Sequence, residues 1–205
     1  MITINRGVHV YAGCAALSLL IGVMMMLGSR GYAQPHESVY EKYVSKDPKI
    51  GIATQRLAAW SASESRGSYE PYAMVVFFEP ERGEKGRRAE MVVSVTQSAE
   101  AKIDPTLDAM TVDLLGRRQQ LPGYKVLAQT QDELLGVPAM QVELSYRVPA
   151  SLHALEKREH VIREKVVLFV RGARLYQLRY VNTEGAYPAF EEAFEHLIAS
   201  LTFLP

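Results

Sequence analysis

Met140-Gln141-Val142-Glu143-Leu144-Ser145-Tyr146-Arg147 alternates apolar and polar residues without a break. Met140, Val142, Leu144 and Tyr146 therefore face one way and Gln141, Glu143, Ser145 and Arg147 the other, the period of a β-strand. An apolar face backed by a polar one predicts an antiparallel sheet with one wet side. Downstream, Arg163–Val170 and Ala173–Val181 are rich in β-branched and aromatic residues and are separated only by Arg171-Gly172. So short a connection predicts an antiparallel hairpin, because parallel strands need a long crossover.

Working upstream, Ile50–Trp60, Tyr72–Glu79, Ala89–Gln97 and Tyr124–Gln131 read as further strands, with Pro80, Gly83 and Gly86 supplying turn chemistry after the second of these. One helix is expected to open at Asp104-Pro105, an N-cap acceptor followed by proline at the first helical position. Leu107, Met110, Thr111, Leu114 and Leu115 then recur at helical spacing, Arg117 and Arg118 suit the negative end of the helix dipole, and Pro122-Gly123 stops it. A second helix opens near Pro188, with Phe190, Ala193, Phe194, Leu197, Ile198 and Leu201 on one stripe and Glu191, Glu192, Glu195 and His196 opposite. Strands in the middle and two amphipathic helices make an α+β sandwich in which helices cover a central antiparallel sheet.

Composition sets the outer bounds. Of 205 residues, 48% are hydrophobic and 22% charged, a globular balance. Lys+Arg and Asp+Glu both count 23 with no dominant cluster of one sign, which argues against a nucleic-acid binder. The single cysteine, Cys14, excludes an internal disulfide framework and a zinc site built on several thiolates.

The N-terminus carries compartment information. Arg6 precedes an uncharged apolar run from Val8 to Leu27, and Gly31 and Ala33 then have the small-x-small spacing that signal peptidase accepts. Residues 1–33 are expected to be a signal peptide cut between Ala33 and Gln34. The alternative is an uncleaved anchor, since a run of this length spans a bilayer at about 1.5 Å per residue. Cys14 follows Tyr11-Ala12-Gly13, but the apolar run lies mostly after it, the wrong order for a lipoprotein signal. Residues 34–49 are a polar lead-in with room for one short helix, and 50–205 are expected to form one domain.

No G-x-S-x-G nucleophile elbow occurs. Gly83-Glu84-Lys85-Gly86-Arg87-Arg88 lacks the G-K-[ST] ending that holds phosphate and magnesium, so it reads as a solvated turn. His153, Glu156 and His160 would share one face of a helix and are metal-ligating types, which makes them the candidate metal residues. Against a metal, Ser151–Glu164 is mostly charged, has no H-E-x-x-H, and reads equally as an exposed connection between strands. His36 and His196 join no pattern. Tyr69, Tyr72, Tyr176 and Tyr180 could line a ligand face, although tyrosine at such strand positions is more often sheet packing, and Trp60 reads as a core plug.

In their order, these residues resemble the PsbP-like superfamily (PsbP, DcrB and LpqN-type domains). The resemblance rests on the opening strand ending in Trp60, the helix over Asp104–Arg118, and Leu134-Leu135-Gly136-Val137-Pro138-Ala139 leading into the alternating strand. It continues with Gly172 and Leu175-Tyr176-Gln177-Leu178-Arg179-Tyr180, Phe190 to Phe194, and the closing Ala199-Ser200-Leu201-Thr202-Phe203. Ala59 stands where the family usually has glycine before the tryptophan. The resemblance implies an α-β-α sandwich, exported or lumenal, that acts by docking and has no shared catalytic residues or cofactor to carry over. The expectation is a non-enzymatic envelope protein, periplasmic or secreted, that binds or stabilises a protein partner. The alternative is a small-ligand or metal carrier using the sheet face. Membrane attachment enters only if the N-terminal segment stays uncut, leaving the domain outside the cytoplasm.

Overall fold

The alternating stretch over 140–147 sits inside one of the two longest strands of a seven-stranded antiparallel sheet. The structure, a computed structural model, describes residues 39–66, 72–80, 88–98, 106–149 and 159–204. In chain order these form β1 (Tyr40–Val44), β2 (Ile52–Leu57), β3 (Ser61–Arg66), β4 (Tyr72–Phe78), β5 (Glu90–Gln97), α1 (Leu107–Arg118), β6 (Lys125–Leu134), β7 (Val137–Pro149), β8 (Glu159–Arg171) and β9 (Arg174–Thr183). A 3-10 turn at Tyr187–Ala189, α2 (Glu191–Ala199) and β10 (Thr202–Phe203) complete them. The large sheet runs β3-β4-β5-β9-β8-β7-β6, and a three-stranded sheet runs β1-β2-β10. All pairings are antiparallel.

Two tight hairpins fix the register of the large sheet. In β8–β9, Arg171 pairs with Arg174 around Gly172, whose φ of 60° is in the left-handed region that glycine enters without strain. In β6–β7, Leu135 (φ 53°) and Gly136 (φ 79°) both have positive φ, as a type I′ turn requires. Leu135 is the one described non-glycine residue in that region.

The register divides the core. One face carries Ala73, Val75 and Phe77, then Met91, Val93 and Val95, then Tyr176, Leu178 and Tyr180, then Val167 and Phe169, packed with Phe194, Leu197 and Ile198 of α2 and Ile50 and Ile52 beside the small sheet. The other face carries Met140, Val142 and Leu144 of β7 with Val166 and Leu168 of β8, covered by Leu107, Met110, Leu114 and Leu115 of α1. Each fully buried large side chain contributes about 1.5–3 kcal/mol. The sheet is therefore sandwiched: α2 and the small sheet lie on one side and α1 on the other, an α+β sandwich. The single wet side expected from the alternation is found only locally, at half-buried Gln141 and Glu143, because Ala139 and Val167 beside them belong to the first core.

Several boundaries differ from the sequence reading, each for a physical reason. The strand expected over Ile50–Trp60 ends at Leu57; the chain turns through Ala58 and Ala59, and Trp60 is buried in a T-shaped contact with Phe190 at 5.0 Å. Ser61–Arg66 then forms β3, an edge strand whose serines and charges give no apolar alternation. The lead-in forms strand β1 instead of a short helix, with Tyr40 and Tyr43 packed on the core. Helix α1 is capped by Thr106, whose hydroxyl accepts from the Ala109 amide at 3.2 Å; Asp104-Pro105 lies outside the described residues. Glu159–Glu164, expected in an exposed connection, are the start of β8, where Ile162 and Glu164 are fully buried.

Candidate functional site

The residues that the sequence nominated are dispersed. His160 lies in β8 opposite Val148, so it is part of a strand and shares no helical face; His153 and Glu156 lie outside the described residues. His196 stacks on the Tyr40 ring at 3.8 Å and hydrogen-bonds Gln55 at 2.7 Å, fastening α2 to the small sheet. Tyr176 and Tyr180 are buried in the core and Tyr72 is on the opposite face, so these three form no common surface. Tyr180 donates to the Tyr187 carbonyl at 2.6 Å, and burial pushes its hydroxyl well above the usual tyrosine range. Tyr69, His36, Cys14 and Gly83-Gly86 lie outside the described residues. Among the described residues, no group of three or more His, Cys, Asp or Glu side chains could hold a metal ion, and no helix is long and apolar enough to cross a membrane.

Helix α1 is held to the sheet by charge as well as by its apolar stripe. Glu164, in β8 and with no exposed surface, accepts from Arg118 Nε at 3.0 Å and from a terminal guanidinium nitrogen of Arg118 at 2.9 Å. A second guanidinium, Arg179 of β9, stands 3.7 Å from the same carboxylate. Tyr146 is pushed up to about 12, by burial first and by the Glu164 charge second. The Arg118 clamp lies at the C-terminal end of α1, where the helix dipole also favours a cation.

This tethering leaves a groove. Helix α1 packs on β7 and β8, whereas the next strands on the same face, β9 and β5, present Gln177, Ser94 and Thr96 where bulk would be needed to continue the core. The result is a cavity of about 140 Å³ between α1 and the sheet. Helix α1 lines it with Ala109, Met110, Asp113, Leu114 and Arg117, and the sheet lines it with Ser94, Thr96, Leu168, Leu175 and Gln177, so apolar and hydrogen-bonding groups are mixed on both walls. Asp113 and Arg117 pair with each other at 2.9 Å one helical turn apart, and both are largely exposed. Ligand pockets for cofactors run to about 300–1,000 Å³, and a cavity of about 150 Å³ holds one benzene. The groove thus has room for a single side chain or ring, with hydrogen-bonding groups among its walls. Sequence reasoning missed it because Ser94, Thr96 and Gln177 have the spacing of ordinary outward-facing strand residues.

A second hollow, at Lys46, Asp47, Glu64, Ser65 and Arg66, is internally satisfied. Glu64 accepts from the amides of Lys46 at 2.8 Å and Asp47 at 2.9 Å and from the Tyr43 hydroxyl, while Arg66 forks onto Asp47. These contacts close the β1–β2 turn over β3 and leave no carboxylate free for a ligand.

No family model matches the chain, and no curated protein matches its sequence. Solved structures do match. CyanoP, the cyanobacterial PsbP of Synechocystis, gives a TM-score of 0.53 at 13% identity, over 86% of this chain and 98% of its own. The Ran-binding protein Mog1p of Saccharomyces cerevisiae gives 0.53 at 9%, over 82% and 96%. PA94 of Pseudomonas aeruginosa, a protein of unknown function, gives 0.50 at 20%, over 81% and 98%. At these identities the likeness is one of fold, and the chain has the PsbP-like fold.

Proposed function

We propose that the protein is a non-enzymatic, exported binding protein that docks a protein partner of the cell envelope through the groove between α1 and strands β5 and β9. One observation carries this reading: a cavity of about 140 Å³, lined by Met110, Leu114, Leu168 and Leu175 together with Ser94, Thr96, Gln177, Asp113 and Arg117, on a sheet face that α1 covers only in part. Its size suits one anchoring side chain of a partner, and interfaces draw most of their energy from a few such anchors set in desolvated pockets. The cavity is below the size of a cofactor site, and fold alone does not assign function. Export rests on the leader over 1–33, with the remaining chain, β1 included, acting as one domain after cleavage before Gln34. Intact mass of the exported protein checks that start site, and a membrane-bound species retaining residues 1–33 supports the anchor alternative.

Ala109→Trp, which fills the groove from its helical wall, tests the docking role. Affinity capture from envelope extract with the unaltered protein should recover a partner in fixed stoichiometry, and the Ala109→Trp protein, with an unchanged melt, should not. Equal recovery by both proteins places docking elsewhere.

A further inference from the structure

Ten residues of β6, Lys125–Leu134, form one margin of the large sheet, paired with β7 on one side and, among the described residues, with nothing on the other. Every residue from Lys125 to Glu133 is exposed, including Val126 and Leu127 at nearly half of their surface. Such a margin is a row of open amides and carbonyls that natural proteins usually blunt with proline, central charges or a covering segment. The opposite margin is treated that way, since Glu64 of β3 grips the β1–β2 turn through the Lys46 and Asp47 amides. In contrast, β6 has no proline, and its charges lie only at its ends: Lys125 at one, Asp132 and Glu133 at the other.

We propose that β6 pairs antiparallel with β6 of a second copy of this chain about a two-fold axis through Gln129, so that the large sheet runs continuously across the dimer. The bulge in β6 carries the inference. Lys125 and Asp132 are an odd number of residues apart and in a regular strand would project from opposite faces. Val126 pairs with Leu144 and Ala128 with Glu143, which leaves Leu127 as an extra residue and shifts the phase by one. Lys125 (opposite Ser145) and Asp132 (opposite Ala139) therefore share one face, while Val126 (opposite Leu144) and Gln131 (opposite Met140) share the other. With Leu127 skipped in each copy, the two-fold sets Lys125 against Asp132, Val126 against Gln131, Ala128 against Thr130 and Gln129 against itself. The Lys125–Asp132 pair forms twice by symmetry, and every opposed pair lies on one face. A parallel arrangement would bring like charges together at both ends.

Sedimentation equilibrium of the exported protein at low salt, to about 100 μM, reads the outcome. A dimer is expected. Lys125→Glu and Asp132→Lys should each weaken it about tenfold, since each turns two attractions into two repulsions worth a fraction of a kcal/mol apiece. The double exchange should restore it. Circular dichroism melts confirm that the variants fold, which exposed end positions should permit. A protein that stays monomeric throughout, a dimer indifferent to both single exchanges, or a double exchange that fails to rescue would overturn the proposal.

Discussion

Glu164, completely removed from solvent in the middle of β8, is held by both arms of the Arg118 fork at the end of α1. This pair decides where α1 lies: with its last turn fixed over β8, the helix covers β7 and β8 and leaves the groove over β9 and β5 open. A buried carboxylate stripped of its principal partner is costly, whereas removing both charges together need not be. Arg118→Met should therefore destabilise the fold by about 3–5 kcal/mol, and Arg118→Met with Glu164→Leu by less than the sum of the two single changes. Urea unfolding of the three variants measures this; strict additivity would mean that the two groups are not coupled.

The last helix makes a cleaner contrast. Leu197 is 1% exposed and faces the core, while Glu192 faces solvent on the same helix. Leu197→Asp buries an unpaired carboxylate, a cost of several kcal/mol against a total stability of roughly 5–15 kcal/mol, and should abolish folding. Glu192→Lys should melt within a few degrees of the unaltered protein. Comparable melting temperatures for the two variants would contradict the placement of α2.

Acid should loosen the turn between β1 and β2. Hydrogen bonding by Arg66 holds Asp47 below the usual carboxylate range. For Glu64, burial acts upward but is outweighed by the Tyr43 hydroxyl and the Lys46 and Asp47 amides, so its carboxyl also titrates low. Groups with lowered folded-state pKa values stabilise the fold fully above the ordinary carboxylate range, and this contribution disappears as pH falls through the lower folded values. Unfolding midpoints should therefore fall below about pH 4, and Glu64→Gln should flatten that dependence. An unchanged acid limb in Glu64→Gln would show that Glu64 does not carry the acid sensitivity.

Metal dependence is checked at the three residues that the sequence nominated. Elemental analysis of the native protein, and melts with and without chelator, should match those of a His153→Ala, Glu156→Ala, His160→Ala triple variant. A stoichiometric metal that leaves with the triple variant, together with a chelator-sensitive melt, would favour the carrier alternative.

The legible parts of this fold are those in which one local rule acts alone. The Arg171-Gly172 connection admits only a hairpin, and the alternation from Met140 to Tyr146 admits only a strand with one apolar face. Helix α2 is legible because its stripe from Phe190 to Leu201 is nearly uninterrupted. Where the signal depends on a partner distant in sequence, it is silent. Strand β3 is polar because it is a margin, and only pairing with β4, Ala62 opposite Phe77, makes it a strand. Strand β1 exists because Tyr40 and Tyr43 find the core and the β2 ladder. The groove is silent for a related reason: it arises where α1 stops covering the sheet, which depends on Arg118 meeting Glu164 46 residues away.

The proposed docking role requires that the groove receive a side chain of a protein partner and not a small molecule. Native mass spectrometry of the protein gently isolated from its own envelope tests this most directly. The expected species are the mature chain, with or without whole protein chains added, and any partner chain should be lost in Ala109→Trp. A sub-kilodalton adduct in fixed stoichiometry that disappears in Ala109→Trp would contradict it and make the protein a ligand carrier.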